Sequence, residues 1–413
     1  MKIKLNKPLK LDVILENLKL ITIINGDEIS FNAFKLIELE SILLSHISFP
    51  ENLSSISKTS ILNKTLREVV RQNYCPESFI KILSSELKKH NSKIEQNYYI
   101  LCSLSIDYLP FNKVLINNSE ISFLRKNYPK IFSKPRKDIF KKMNFLEQEN
   151  HEGYLKVIIK TRGKSYTDTF EESMNNLDVF RGILSLILNP TLQIPYGTAR
   201  HEPINKIRLG HFYSIHLENG ENVNDHSYWY QPDFFQKTFT FKLENKTNIK
   251  RQVNWFLKKL NSSKIKNEIC NSLQLYVNAF DEKNRQSCFL KSWTALEKLL
   301  DTNMNEVIIK RCLAIYSKDA IPLQQQVLEG LKKIRNEFIH DGSKVDDNIS
   351  VHCFQVQRMI YHLLRFNHLR FPHLFNNIQD AAKFLDKRKI DEMTLLKESK
   401  MLNEISKINR TKC

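Results

Sequence analysis

The feature that most limits the fold of this 413-residue chain is the loss of strand signals after about residue 250. From there apolar residues recur at helical spacing through 263–279, 287–300, 306–317, 323–340 and 351–369. Earlier segments alternate between the two periods. Residues 31–47, 60–72 and 77–89 carry helical spacing, the last opened by Pro76, and 167–188 is a helix closed by Pro190. Residues 98–106 and 154–160 read as strands, and 192–232 as a β-rich stretch. The expected fold class is therefore α+β: a mixed α/β region over 1–248, an all-α bundle over 249–375 and a basic helical tail over 376–413. The boundary is drawn where charge and polarity cluster, at 245–251, and a break near 145–153 would divide the first region into two subdomains.

Charge narrows the partners. Lys plus Arg number 63 against 45 Asp plus Glu, a net charge of +18 and a pI of 9.4. A surface of that sign favours polyanions, although a chain so rich in Lys, Asn and Ile also carries lysines that are merely solvated. Only nine glycines are present, which argues against glycine-built nucleotide cradles. No Walker loop, G-x-G-x-x-G, G-x-S-x-G or H-E-x-x-H occurs. The seven cysteines are scattered without a C-x-x-C pair, so neither a zinc knuckle nor a disulfide framework is expected and they read as reduced core residues. No metal and no cofactor are expected. The apolar run at 18–24 is far too short to span a bilayer, and the start lacks a cleavable leader pattern, so a cytoplasmic protein without membrane partners is anticipated.

The densest basic stretch, 124–143, contains Arg125, Lys126, Lys130, Lys134, Arg136, Lys137 and Lys141, with Tyr128, Phe132 and Phe140 interleaved. Cations for phosphates with rings for bases is a single-strand RNA-binding pattern. The same residues also read as a proline-broken surface loop leading into an amphipathic helix.

The stretch that carries chemistry is 331–342, LKKIRNEFIHDG. Leu323, Val327, Leu331, Ile334 and Phe338 form one helix face, Gly342 suits the position just past the end, and His340 falls in the last turn. At about 100° per residue, Arg335 lies inside the apolar arc. A cation there calls for a carboxylate or a bound phosphate. Residues 289–300, FLKSWTALEKLL, put Trp293, Leu296 and Leu300 on one stripe with Glu297 a turn after Trp293, a suitable buried counter-ion for Arg335.

Arg335-Asn336-Glu337-Phe338-Ile339-His340 resembles the R-N-x-x-x-H form of the HEPN superfamily motif. The upstream W-x-x-L-E helix and Asp341-Gly342 are similar to the Apea-like branch. The resemblance covers about the last third of the chain. It implies a compact helical bundle and a metal-independent endoribonuclease in which the RNA 2′-OH is the nucleophile. His340 would be the general acid or base, and Arg335 would hold the scissile phosphate and stabilise its transition state. Asn336 would orient one of them, and Glu297 would hold Arg335. The products would be a 2′,3′-cyclic phosphate and a 5′-hydroxyl end. Five residues apart on a helix is about 140° of rotation, so Arg335 and His340 do not share a face. A homodimer through the bundle, with two motifs across a two-fold, would supply the missing groups. By family association the protein would be a toxin or antiphage-defence effector, answering to an antitoxin or a phage-derived trigger. The alternative is a catalytically silent HEPN module in a nucleic-acid-binding or adaptor protein. His352, His362, His368 and His373 lack partner carboxylates at ligand spacing and read as surface or packing residues.

Overall fold

A computed structural model describes residues 4–26, 28–50, 53–142, 153–192, 202–224, 227–230, 240–340, 348–388 and 390–410, with only the backbone of His340 and of residues 408–410. The class is α+β, with a sheet-bearing N-terminal region and a helical C-terminal one. Two compact units form. One comprises Met1–Ser103, Asn112–Asn176 and Gly210–Gln236, the other Leu104–Phe111, Leu177–Leu209 and Lys237–Cys413. The helical unit is therefore not confined to 249–375: it also takes in two excursions from the first half of the chain. The break expected near 145–153 falls, apart from Gly153, outside the described residues.

The first unit opens with β1 (Lys4–Leu5), α1 (Leu11–Ile21), the hairpin β2 (Thr22–Asn25) and β3 (Glu28–Phe31), α2 (Ala33–His46), β4 (Ile47–Ser48), α3 (Ser55–Arg71) and α4 (Pro76–Asn91). Side chains at helical intervals supply a core from Leu15, Leu18, Leu43, Leu62, Leu66, Val69, Phe79 and Leu83. Capping sets two of the starts. The Asn32 side chain accepts from Lys35 N–H and the Ser54 side chain from Ser57 N–H.

A six-stranded sheet follows: β5 (Gln96–Leu104), β6 (Lys113–Ile116), β7 (Ser119–Leu124), then α5 (Lys130–Lys142), β8 (Leu155–Gly163), α6 (Tyr166–Leu188), β9 (Phe212–His216) and β10 (Tyr228–Tyr230). Its order is β10-β9-β5-β8-β7-β6. Alternation along β8 sorts its two faces. Ile158 joins Leu101 against Tyr128 and Phe132 of the α5 segment, while Thr161, three residues on, meets Ser173 of α6 on the other side. Both faces are covered, which is why β5 is buried almost throughout.

In the second unit come α7 (Lys246–Asn261), α8 (Lys266–Phe280), α9 (Arg285–Leu300), α10 (Asn305–Leu313), α11 (Ile321–His340), α12 (Ile349–Leu363), α13 (Ile378–Lys387) and α14 (Glu392–Arg410). The polar cluster at 245–251 is the start of α7: Asn245 caps it by accepting from Asn248 N–H, and Ile249, Val253, Phe256 and Leu260 form its buried stripe. The last half of α6 belongs to this unit too. A Cβ on Gly182 would lie 2.9 Å from the Leu273 carbonyl oxygen of α8, so glycine lets the two helices approach. Arg181, fully buried, bridges Asp178 and Asp281 at 2.6 Å each. The segment read as one basic tail is two helices. The first buries Ile378, Ala381, Ala382 and Leu385, and its Asp386 takes a forked pair from Arg311 at 3.2 and 2.8 Å.

Candidate functional site

α9 and α11 present the motif residues to one another. Trp293 and Leu296 of α9 are buried, as are Leu328, Leu331 and Phe338 of α11. The Phe338 ring meets Phe289 edge-on at 6.0 Å. This register leaves Leu323 two-thirds exposed, so the apolar stripe runs through Leu328 instead of starting at Leu323. Arg335 and Glu297 come together within that contact, Nη2 to Oε1 at 3.6 Å, both about four-fifths buried. That spacing is an ion pair beyond hydrogen-bond range, and Glu297 Oε1 has no hydrogen-bond partner among the described residues. Burial pushes the Glu297 carboxyl upward, and the Arg335 charge opposes it.

Asn336 takes a place beside this pair. Its Oδ1 accepts from Arg335 Nη1 at 3.4 Å and from Asn305 Nδ2, at the start of α10, at 3.3 Å. Asn305 is a member of the group that the sequence offered no way to find: it stands 31 residues upstream in a segment without a motif. Chemically the group is a partly exposed guanidinium whose counter-ion is loosely held, leaving donors that a phosphate oxygen can accept from. α11 runs through His340. The His340 side chain, Asp341 and Gly342 lie outside the described residues.

Of the other histidines, His368 is buried between the Leu363 and Leu299 carbonyls at 3.1 and 2.8 Å, and burial depresses its pKa. His352 contacts Phe289 and His362 contacts Tyr316. Among the described residues no three His, Cys, Asp or Glu side chains converge as a metal site, and no helix is long and apolar enough to cross a membrane. Cys102, Cys270, Cys288, Cys312 and Cys353 are buried free thiols.

The basic stretch before β8 requires a correction. Arg136 does not face solvent: it is 4% exposed. Its Nη1 donates to Leu101 O at 3.2 Å and Ser214 Oγ at 2.7 Å, and its Nη2 to Phe212 O at 3.2 Å. It also lies over the rings of Tyr128, Phe140 and Phe212 at 5.2, 5.4 and 4.9 Å. Tyr128, Phe132 and Phe140 are buried as well, so these rings pack α5 on the sheet and offer no stacking surface for bases. Spacings of four along 128, 132, 136 and 140 put all four on one side of the segment. Arg125, Lys126, Lys130, Lys134, Lys137 and Lys141 are exposed.

No family model matches the chain, and neither a curated protein nor a solved structure matches it.

Proposed function

We propose that the chain is a metal-independent endoribonuclease of the HEPN kind, in which the helical unit cleaves RNA by attack of the substrate's own 2′-OH. The observation that carries this reading is the partly buried Arg335, paired at 3.6 Å with Glu297 and bonded to Asn336. In this reading Arg335 binds two oxygens of the scissile phosphate and stabilises charge as the phosphorus becomes five-coordinate. Glu297 keeps the guanidinium aimed. His340 takes the 2′-OH proton or gives one to the leaving 5′-oxygen, and a second protomer's motif supplies the complementary group. Asn336 holds Arg335 in place. The exposed lysines of α5 supply sequence-independent attraction to RNA. A role as a toxin or antiphage-defence effector, restrained or triggered by a partner, belongs to the same proposal.

The test is incubation of the full chain with total tRNA in EDTA, followed by end-group analysis. Cleavage leaving 2′,3′-cyclic phosphates is expected, lost by about 10²-fold or more in His340→Ala and in Arg335→Ala, as for removal of an acid–base group or a transition-state donor. Glu297→Gln, which keeps shape but drops the counter-charge, is expected to fall between these and the native chain. An RNA gel shift with no cleavage by native protein, or undiminished cleavage by His340→Ala, defeats the assignment.

A further inference from the structure

Away from Arg335, three cations of the helical unit gather where α8 turns into α9. Asn205 does the gathering. Its N–H donates to Phe280 O at 3.1 Å, and its side-chain amide to Val277 O and Asp281 Oδ1, both at 2.8 Å. That ties its segment to the last turn of α8. Lys206 and Arg208 flank the tie, and Arg285 opens α9 four residues beyond Asp281. Arg208 is held along its own segment, donating from Nε to Asn205 O at 3.1 Å and from Nη2 to Pro203 O at 3.2 Å.

The three cations oppose one another. Burial is the main force lowering the pKa of both Lys206 and Arg285; Arg208 lowers both further, and Arg285 adds to the effect on Lys206. Neighbouring carboxylates are committed elsewhere. Asp281 accepts from Arg181 and Asn205, and Glu282 pairs with Lys291. That leaves Glu202, half-exposed and 3.4 Å from Arg208. The other groups facing Arg285 are the uncharged thiols of Cys288 and Cys353. Meanwhile Arg285 Nε and Nη1 are buried without a hydrogen-bond partner among the described residues. Unmet guanidinium donors in a partly desolvated cationic cluster are unfavourable until an anion accepts from them. The positive end of the α9 dipole acts in the same direction.

We propose that Lys206, Arg208 and Arg285 bind a terminal phosphate, the dianion of a phosphate monoester, at the α8–α9 turn. Three cations against one carboxylate leave two charges unmatched, which a monoester meets and a backbone diester does not. Arg285 supplies the directed donors, Arg208 the flanking one and Lys206 the charge. The binding is non-covalent and does not depend on the ribonuclease reading.

The experiment titrates inorganic phosphate into the full chain by calorimetry at constant ionic strength. The Arg335→Ala variant is used as the background, so that phosphate held at the other arginine does not contribute. Saturable binding is expected. It should weaken by about tenfold or more on adding Arg285→Gln, the loss of one charge-assisted contact, and weaken also on adding Lys206→Gln, with circular dichroism and melting curves showing both variants folded. Displacement by a 5′-phosphorylated dinucleotide, but not by its 5′-hydroxyl counterpart, assigns the phosphate to a nucleic-acid end. Failure of the phosphorylated dinucleotide to displace assigns it to a small phosphate, and the site stands either way. No saturable binding in the Arg335→Ala chain, or unchanged affinity in both charge-removing variants, overturns the proposal.

Discussion

At the scale of single residues, the buried polar groups of the sheet form a directed chain. Arg136 Nη1 donates to Ser214 Oγ, whose hydroxyl donates to His216 Nε2 at 2.8 Å, and His216 Nδ1–H donates to Gly220 O at 3.0 Å. Only the neutral imidazole fits, because Nε2 must accept. Burial pushes the His216 pKa down to about 4, helped by the Arg136 charge and opposed by the Gly220 carbonyl. A depressed base stabilises the fold fully above its ordinary pKa of 6.5 and loses that contribution as pH falls through about 4. A shift of this size corresponds to about 3 kcal/mol. The urea midpoint of the native chain should therefore fall between pH 6.5 and pH 4. His216→Gln should start lower and follow a flatter acid limb; parallel curves would show that another group titrates.

At the scale of elements, α5 shows how a helix tolerates an internal proline. Pro135 has no N–H, so the Ile131 carbonyl one turn earlier lacks its helical donor. Gly220, at φ +87°, packs so closely on that carbonyl that an added Cβ would overlap it. Gly220→Ala combines backbone strain with this clash and should destabilise by at least about 2 kcal/mol. On the same helix Arg136→Ala leaves carbonyls and Ser214 without a donor inside the packed layer, and should cost about 3 kcal/mol. Lys137→Ala, on the exposed side, should change stability by less than about 0.5 kcal/mol. Denaturant midpoints of the three variants rank these effects, and an Arg136→Ala chain as stable as Lys137→Ala would contradict the packing role.

At the scale of the whole molecule, the prediction concerns assembly. A catalytic group on each side of a helix terminus needs a second copy to meet it, so the ribonuclease reading requires a homodimer through the helical unit. Light scattering at micromolar concentration should give twice the 48.8 kDa chain mass, and RNA cleavage should fall more steeply than linearly on dilution below the dissociation constant. A mass of one chain together with full activity would exclude the composite site. The net charge of +18 acts at this scale too: it speeds encounter with RNA in a salt-dependent way without choosing a sequence.

Sequence by itself determined the class and the strongly periodic helices. α2, α4, α6, α9 and α11 fall where apolar spacing and proline punctuation put them, because those signals are local. It also singled out Arg335 as a cation on an apolar stripe and Glu297 as its partner, since a buried charge has few ways to be matched. Tertiary structure decided the rest. α1 and the short strands β6 and β7 had no pattern strong enough to separate them from loops. The two compact units interleave along the chain, which no local signal encodes. Arg136 reads as a surface cation until a sheet carbonyl, a serine and three rings from distant segments close around it. Asn305 and the Lys206–Arg208–Arg285 cluster likewise exist only once residues far apart in sequence are brought together, because charge matching and desolvation are properties of the folded surroundings and not of the residue alone.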